Sequence, residues 1–233
     1  MQFSDWAFLS EAHCHELQNQ LRTQLVSPPP FDISRVQTVA GVDLAYWETD
    51  GIQQAVCCIC VVQFPSGKLL EQQHTQGIVQ FPYIPGCLAF RELPLVLETV
   101  PKLTIQPDVY LFDGNGMLHP RNMGIATHAG FYLKVPTIGC AKSYYRVKDT
   151  DFEMPEKEAG SFTEIVVDGV VCGRVLRTHT NVKPVFLSVG QRIGLEDATI
   201  LVQQLVGPES HIPIPVRLAD LATHEMRTYY QTT

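Results

Sequence analysis

Three acidic residues occupy positions where carboxylates are uncommon unless they have a functional role. Asp43 interrupts an apolar run at residues 40–45, Asp113 follows the apolar segment 109–112, and Glu92 precedes Pro94, where a helix is expected to begin. Three carboxylates delivered to one rim are typical of a Mg²⁺ site, with water and substrate phosphate completing the octahedron. Such a site suits phosphodiester hydrolysis, because the cation lowers the pKa of an attacking water and stabilises charge on phosphate.

Each of these residues also has a purely structural interpretation. Asp43 fits an edge position or a turn-facing carboxylate, and Asp113 fits an ordinary Asp-Gly turn. Glu92 would complement the dipole at the start of a helix. The combination of a strand, a helix start and the carboxyl end of a second strand favours the metal site.

Lys142 follows a short apolar segment at residues 137–140. A lysine there would add a positive point charge to a bound phosphate. The alternative is a solvated lysine with no catalytic role.

The segment 81–86 reads Phe-Pro-Tyr-Ile-Pro-Gly, and its two prolines restrict the backbone. A stiff loop that presents Tyr83 and Ile84 would act as a wedge in a base step and hold a duplex open while a base is extruded. The alternative is a rigid connector with a buried tyrosine.

The elements that position these residues follow from periodicity and turn signals. Apolar residues at helical spacing predict a helix over 4–26, which ends before three prolines. Segments 36–46, 55–64 and 68–79 are rich in strand-forming residues and predict an antiparallel meander.

The rest of the chain alternates between helix and strand signals. Pro94 suits the first turn of a helix that ends near Val100. Strands at 109–112 and 137–140, separated by a helix at 124–133, predict parallel pairing added to the meander. We further expect a surface loop at 149–160, a hairpin over 163–177 turning at Asp168-Gly169, a strand at 185–189 and closing helices at 193–206 and 216–230.

Composition limits the class of protein. A chain of 233 residues with 45% hydrophobic content predicts one globular domain over 1–233. No apolar segment reaches the roughly 18 residues that a membrane span needs, so a soluble, cytoplasmic protein without a membrane partner is expected. Cys57, Cys58 and Cys60, within an apolar run, are interpreted as core residues in a reducing compartment.

Net charge restricts how nucleic acid could be bound. A formal net charge of -7 argues against a broad basic coat and permits local binding of a short stretch. The sequence lacks a P-loop, a complete GxGxxG, an HExxH and a GxSxG, so P-loop nucleotide hydrolysis, nicotinamide chemistry and serine hydrolysis have no support.

Short motifs between residues 40 and 143 resemble the endonuclease V family in order and spacing. The PYIPG block and the DGNG block followed by HPR are the most specific. The motifs are Gly41-Val42-Asp43, Pro82-Tyr83-Ile84-Pro85-Gly86, Phe90-Arg91-Glu92, Asp113-Gly114-Asn115-Gly116, His119-Pro120-Arg121, Gly124-Ile125-Ala126-Thr127-His128 and Pro136-Thr137-Ile138-Gly139-Cys140-Ala141-Lys142.

The resemblance implies an α/β fold similar to ribonuclease H, a mixed central β-sheet flanked by α-helices. It implies a DNA repair endonuclease that flips deoxyinosine, a deaminated adenine. It would nick at the second phosphodiester bond on the 3′ side and leave a 5′-phosphate. The implied cofactor is Mg²⁺, which Mn²⁺ can replace. The implied partner is inosine-containing DNA, with RNA as an alternative, and a monomer suffices.

The resemblance also implies a set of site residues. The metal ligands would be Asp43, Asp113 and Glu92, and the catalytic group adds Lys142, His119 and Asp220. His224, one turn later, is an alternative to Asp220, because some family members have histidine at that position. The substrate-binding residues would be Tyr83 as wedge, Pro82, Ile84, Pro85 and Arg91, and a base pocket built largely from backbone at Gly86, Leu88, Gly114, Ile125 and Gly139.

Departures from the family pattern are confined to residues near the base pocket. Cys140 replaces a more typical valine, and residues 87–89 and 127 vary, which affects base selectivity rather than catalysis. Three other functions stay open: an inosine-directed endoribonuclease, a silent inosine-binding module and a small-molecule phosphohydrolase. The complete set of carboxylates with Lys142 disfavours the module, and the tyrosine loop disfavours the phosphohydrolase.

Overall fold

An eight-stranded mixed β-sheet runs through the centre of the computed structural model, which describes residues 3–232. The strands are β1 (Thr38–Thr49), β2 (Ile52–Gln63), β3 (Leu69–Ile78), β4 (Val109–Phe112), β5 (Thr137–Ala141), β6 (Phe162–Val167), β7 (Val170–Leu176) and β8 (Val185–Val189). The helices are α1 (Glu11–Arg22), α2 (Leu88–Thr99), α3 (Ile125–Leu133), α4 (Leu195–Gln204) and α5 (Ile214–Thr232), with short 3-10 turns at Phe3–Phe8, Ile33–Arg35 and Val100–Lys102.

The strands lie in the order β3-β2-β1-β4-β5-β8-β7-β6. The first three form the predicted antiparallel meander, and β4 and β5 extend it by parallel pairing. Strands β8, β7 and β6 complete the sheet in antiparallel pairing. The predicted mixed sheet flanked by helices is therefore confirmed, and β4 and β8 have the predicted bounds.

The two faces of the sheet bury separate apolar layers. Ala40 and Val42 of β1 pack with α2, α3 and the N-terminal segment, whereas Val39 packs with α4 and α5. Side chains alternate between faces along a strand, so Gly41 and Asp43 share the α5 side with Val39. Within residues 3–232, no helix combines the length and apolar character of a membrane span.

The predicted bounds were wrong at two helices. The helix expected over 4–26 is broken: a 3-10 turn at Phe3–Phe8 precedes α1, whose N-cap Ser10 accepts a hydrogen bond from the His13 N–H. Helix α2 begins at Leu88, so Pro94 lies in the helix interior and Glu92 in its second turn. Ala89, Phe90 and Leu93 are buried, and their packing extends the helix ahead of the proline.

All seven cysteines are free and buried. Cys57, Cys58 and Cys60 of β2 are 0% exposed, in the interior that the sequence predicts for them. Buried thiols of this kind act as small apolar side chains.

His128 on α3 is a buried histidine enclosed by aromatic rings. Its ring lies 5.0 Å from Phe90, 5.4 Å from Trp6 and 5.9 Å from Tyr132 between centroids. Neither ring nitrogen has a hydrogen-bond partner within the described chain. Burial lowers the pKa of His128 to about 3, from an ordinary value of 6.5, with a smaller contribution from nearby His119.

We expect a His128→Phe variant to be less sensitive to acid than the native chain. Between pH 6.5 and about 3 the unfolded chain binds a proton at His128 that the folded chain excludes. The free energy of unfolding of the native chain therefore falls as pH falls through this range. Between about pH 7 and pH 5, the free energy of unfolding should fall by about 2 kcal/mol less in the variant. Urea denaturation across this range, with exposed His13→Gln as control, measures the difference; parallel pH profiles would contradict it.

Candidate active site

Parallel pairing of β1 with β4 brings Asp43 and Asp113 together. The register pairs Val42 with Phe112, so each aspartate follows one member of that pair. The backbone N–H of Asp113 donates to the Val42 carbonyl at 3.2 Å, which extends the pairing past the end of β4. A residue in mid-strand and a residue at a strand end thus become neighbours.

Asp220 joins them because α5 packs unusually close to β1. A Cβ at Gly41 would lie 2.0 Å from the Pro215 carbonyl oxygen, so only glycine permits this approach. About two turns beyond Pro215 on α5, Thr223 donates its hydroxyl to Oδ2 of Asp43 at 3.3 Å. The contact of Gly41 with the first turn of α5 therefore sets the position of Asp220 over β1.

The carboxylates of Asp43, Asp113 and Asp220 each offer an oxygen within 4.8 Å of the others. Lys142, directly after β5, binds Oδ2 of Asp113 at 2.7 Å and Oδ1 of Asp220 at 2.9 Å. Burial and the negative charge of Asp113 raise the pKa of Asp43 to about 7. Burial opposes the charged form of Lys142, but its two carboxylate partners outweigh burial and raise its pKa above the usual range.

Glu92 is not one of the three carboxylates whose oxygens lie within 4.8 Å of one another. Its Oε1 accepts a hydrogen bond from the Tyr46 hydroxyl at 2.7 Å, and Tyr46 alternates to the sheet face opposite Asp43. Burial raises the pKa of Glu92 to about 8, the Tyr46 bond opposes that rise, and Asp43 and Asp113 add to it. The third carboxylate close to Asp43 and Asp113 is therefore Asp220.

This arrangement is chemically suited to a divalent cation. Three carboxylates from β1, the end of β4 and α5 concentrate negative charge on hard oxygen donors, which are the ligands of Mg²⁺ and Mn²⁺. Burial and the repulsion from Asp113 both raise the pKa of Asp43, and a bound cation would offset them. The residues present therefore fit the metal that the sequence predicts.

The tyrosine loop, residues 81–86, projects beside the carboxylates. Phe81 is buried, whereas Pro82 and Pro85 are exposed and Ile84 is partly buried. Tyr83 is 69% exposed, which excludes the buried-tyrosine interpretation of this loop. An exposed ring on a proline-restricted loop has the geometry of a wedge.

A pocket of about 490 Å³, including the part open to solvent, lies between this loop and the start of α3. Gly114, next to Asp113, forms part of its wall, so the pocket adjoins the carboxylates. Asn115 also lines it, and its Oδ1 is buried with no hydrogen-bond partner in the described chain. The lining residues are Tyr83, Ile84, Gly86, Leu88, Ala89, Gly114, Asn115, His119, Met123, Gly124, Ile125 and Tyr145.

His119 forms a wall of this pocket. Its Nδ1 accepts from the backbone N–H groups of Arg121 and Met123, so Nε2 carries the proton and donates to the Gly86 carbonyl at 3.0 Å. Burial and the charge of Arg121 lower the pKa of His119 to about 4. Tyr145 stacks on the His119 ring with an interplanar angle of 9°.

Other predicted residues lie outside the pocket and the carboxylate group. Arg91 is buried, and its guanidinium binds the Phe81 carbonyl and the Gln53 side chain. Gly139 supports the pocket from behind, because a Cβ there would lie 2.5 Å from the Gly114 carbonyl oxygen. His224 reaches Asp220 only at 3.9 Å.

Asn115 and Tyr145 line the pocket although the sequence did not single out their side chains. Asn115 stands inside the DGNG motif, which was a usable signal. Tyr145 follows Lys142 in a segment without periodicity, and its place depends on its contact with His119, which no local pattern reports.

We expect Gly41→Ala to destabilise the protein strongly. The new methyl group meets backbone atoms of Pro215 and Val216, which cannot move aside without shifting α5. The cost should reach the upper end of overpacking, about 3 kcal/mol. Chemical denaturation measures it, with Gly194→Ala as the control, because a Cβ at Gly194 meets only ordinary contacts. Equal stability of the two variants would show that α5 does not depend on Gly41.

A ribonuclease H-like sheet with carboxylates clustered at the neighbouring strands β1 and β4 and at α5 is typical of metal-dependent nucleases, and comparisons with known proteins identify the family. The family model for endonuclease V matches residues 19–221. Endonuclease V of Bacillus thuringiensis is 51% identical over 212 residues, which cover 91% of this chain and 90% of the relative. The chain belongs to the endonuclease V family and is therefore an endonuclease, a phosphodiester hydrolase.

Solved structures agree with this assignment. The crystal structure of endonuclease V from Bacillus subtilis superposes with a TM-score of 0.94 at 47% identity, covering 100% of this chain and 97% of that one. Endonuclease V from Ciona intestinalis superposes with a TM-score of 0.81 at 27% identity, covering 94% and 98%. That protein was crystallised in complex with a 24mer DNA containing an inosine followed by a ribo-adenosine.

Proposed function

We propose that this endonuclease nicks DNA at the second phosphodiester bond 3′ to deoxyinosine and leaves a 5′-phosphate. The observation that carries the proposal is the pocket wall at Gly114, which directly follows the carboxylate Asp113. A base held in that pocket keeps its own strand beside the carboxylates. The inosine-containing DNA bound by the Ciona relative supports the choice of base.

The pocket suits a flat base recognised largely by main chain. Gly86, Gly114 and Gly124 line it, and glycines let a ring approach backbone donors and acceptors closely. The unpartnered Oδ1 of Asn115 is buried beside this pocket, and we propose it as a further acceptor for an N–H group on a base edge. Inosine carries such an N–H at ring position 1, where adenine has only an acceptor.

We propose Asp43, Asp113 and Asp220 as the residues that hold Mg²⁺ or Mn²⁺. The bound cation supplies a lowered pKa for the attacking water and charge stabilisation on the phosphate. Lys142, which contacts two of the three carboxylates, is placed to bind a phosphate oxygen at the same site. Glu92 interacts electrostatically with Asp43 and Asp113 but is not one of the three closest carboxylates, so its role as a ligand stays a prediction.

Tyr83 is proposed as the wedge that fills the space left by the extruded base. Its ring is exposed at the pocket mouth, where it can stack in a base step without rearrangement of the core. His119, uncharged and held against Gly86, is proposed to shape the pocket wall beside the strand.

End-labelled duplexes with one deoxyinosine test the proposal. Incubation with Mg²⁺ should give a single product cut one nucleotide beyond the lesion on its 3′ side, with a 5′-phosphate that a phosphatase removes. A matched RNA with one inosine serves as competitor substrate. Cleavage of RNA alone would replace the proposal by an inosine-directed ribonuclease, and cuts elsewhere in the DNA would overturn the assigned position.

A single-domain monomer in the cytoplasm is the arrangement we propose for this activity. One chain carries the carboxylates, the pocket and the wedge, so a second copy is not needed for nicking one strand. Seven free, buried thiols suit a reducing compartment.

A further inference from the structure

Both ends of the tyrosine loop are held through backbone carbonyl oxygens. At the first residue, Nη1 of Arg91 donates to the Phe81 carbonyl at 2.5 Å. At the last residue, the Gly86 carbonyl accepts hydrogen bonds from several side chains. Between these points the exposed Tyr83 has little support of its own, so its position depends on the loop ends.

Three side chains converge on the Gly86 carbonyl oxygen. Nε2 of Gln18 donates at 2.9 Å, Nε2 of His119 at 3.0 Å and Nη2 of Arg121 at 3.2 Å. His119 and Arg121 belong to the segment that follows β4, whereas Gln18 comes from α1. One carbonyl thus joins three parts of the chain that are far apart in sequence.

Gln18 is the member that ties α1 to this network. It is 0% exposed, and its Oε1 accepts from Nε of Arg121 at 2.5 Å while its amide nitrogen donates to Gly86. A fully buried amide is costly unless both of its groups are paired, and here both are. One of these bonds goes to Gly86 at the end of the loop, and the other goes to Arg121, which itself binds the Gly86 carbonyl. Packing of α1 alone does not require either bond.

We infer that Gln18 is a positioning residue for strand opening: through the Gly86 carbonyl it fixes the loop that presents Tyr83. The inference rests on the proposed function, because it assigns α1 a part in base extrusion. A wedge acts only if it is held in place before the base leaves the stack. Gln18 supplies that restraint without touching substrate.

Two variants separate the restraint from the packing of α1. In Gln18→Glu the carboxylate still accepts from Arg121 but places an acceptor against the Gly86 carbonyl. Gln18→Met keeps the size of the side chain and removes both hydrogen bonds without adding charge. Asn19→Asp, an exposed neighbour on α1 with the same amide-to-carboxylate change, is the matched control.

The measurement is the single-turnover nicking rate on deoxyinosine in duplex and in single-stranded DNA, because only the duplex must be opened. Both Gln18 variants lose the hydrogen bond to the Gly86 carbonyl. Each should therefore lose about tenfold in duplex rate, the usual effect of losing one buried hydrogen bond, and less than about threefold on the single strand. The fluorescence of 2-aminopurine beside the lesion should report less unstacking. Asn19→Asp should match the native enzyme in every readout.

Equal losses on both substrates, or no loss on either, would overturn the inference about Gln18. The proposed function would still stand in that case, provided that the native enzyme cleaves deoxyinosine. Native enzyme that ignores deoxyinosine in both forms would instead overturn the proposed function. Thermal melting of both variants checks that they are folded, and Gln18→Met provides the test if the buried carboxylate of Gln18→Glu prevents folding.

Discussion

Replacement of Asp43 by asparagine is expected to lower the nicking rate by about a thousandfold or more, since loss of a metal's charge stabilisation removes several kcal/mol. Asparagine has the same shape and still accepts the Thr223 hydrogen bond, so the fold should persist. The change removes one of three carboxylates that lie within 4.8 Å of one another. Single-turnover rates with saturating Mg²⁺ measure the loss.

Asp43→Asn should also change how the protein responds to metal. Burial beside Asp113 disfavours the charged form of Asp43, which is why its pKa is raised to about 7. Without metal the variant should therefore melt at the same temperature as the native chain or higher, and Mg²⁺ should raise its melting temperature less. Asp50→Asn, an equal charge change in the exposed β1–β2 turn, is the control. An equal Mg²⁺ response in native and Asp43→Asn protein would remove Asp43 from the metal site.

Tyr83→Ala is expected to produce the second large loss of activity. Stacking of an aromatic ring on a base is worth about 1–3 kcal/mol, which corresponds to about a 5- to 150-fold lower rate on duplex DNA. Tyr83 is 69% exposed, so its removal should leave the free energy of unfolding almost unchanged. Single-turnover nicking of a deoxyinosine duplex and urea denaturation together measure both effects.

Tyr83→Phe separates the ring from the hydroxyl. It keeps the stacking surface and should retain nearly the native rate if the ring acts as a wedge. A loss equal to that of Tyr83→Ala would assign the role to the hydroxyl instead. A small-molecule phosphohydrolase would be indifferent to both substitutions.

Most of the sheet could be predicted from the sequence because strand signals in this chain are local. The apolar runs that became β4 and β8 are short, buried except for Val189 and bounded by turn residues, and their bounds were predicted correctly. The meander was predicted from turn residues between its strands. Asp43 and Asp113 could then be placed together, because the carboxyl ends of neighbouring parallel strands lie at the same edge of a sheet.

Helix bounds depended on contacts that the sequence does not display. Trp6 and Leu17 share helical spacing, yet the chain breaks between them at Ser10, and Trp6 packs against the rings of Phe90 and His128. Pro94 suggested a helix start, but tertiary burial of Phe90 and Leu93 extends α2 by more than a turn ahead of it. That shift moves Glu92 from a helix end into the interior, against Tyr46.

The third close carboxylate also depended on tertiary structure. Asp220 lies far along the chain from Asp113, and nothing in its local sequence distinguishes it from a solvated helical aspartate. Its position follows from the contact between Gly41 and Pro215, which lets α5 approach β1. Gly41 was visible in the sequence, but its partner across the sheet was not.

The most direct test of deoxyinosine-directed cleavage compares two duplexes that differ at one base, which is deoxyinosine in one and deoxyadenosine in the other. Each is incubated under single-turnover conditions with Mg²⁺ or with EDTA. We expect one nick, on the deoxyinosine strand alone and only with Mg²⁺. Equal cleavage of both duplexes, cleavage in EDTA, or no cleavage of either by folded protein would contradict it.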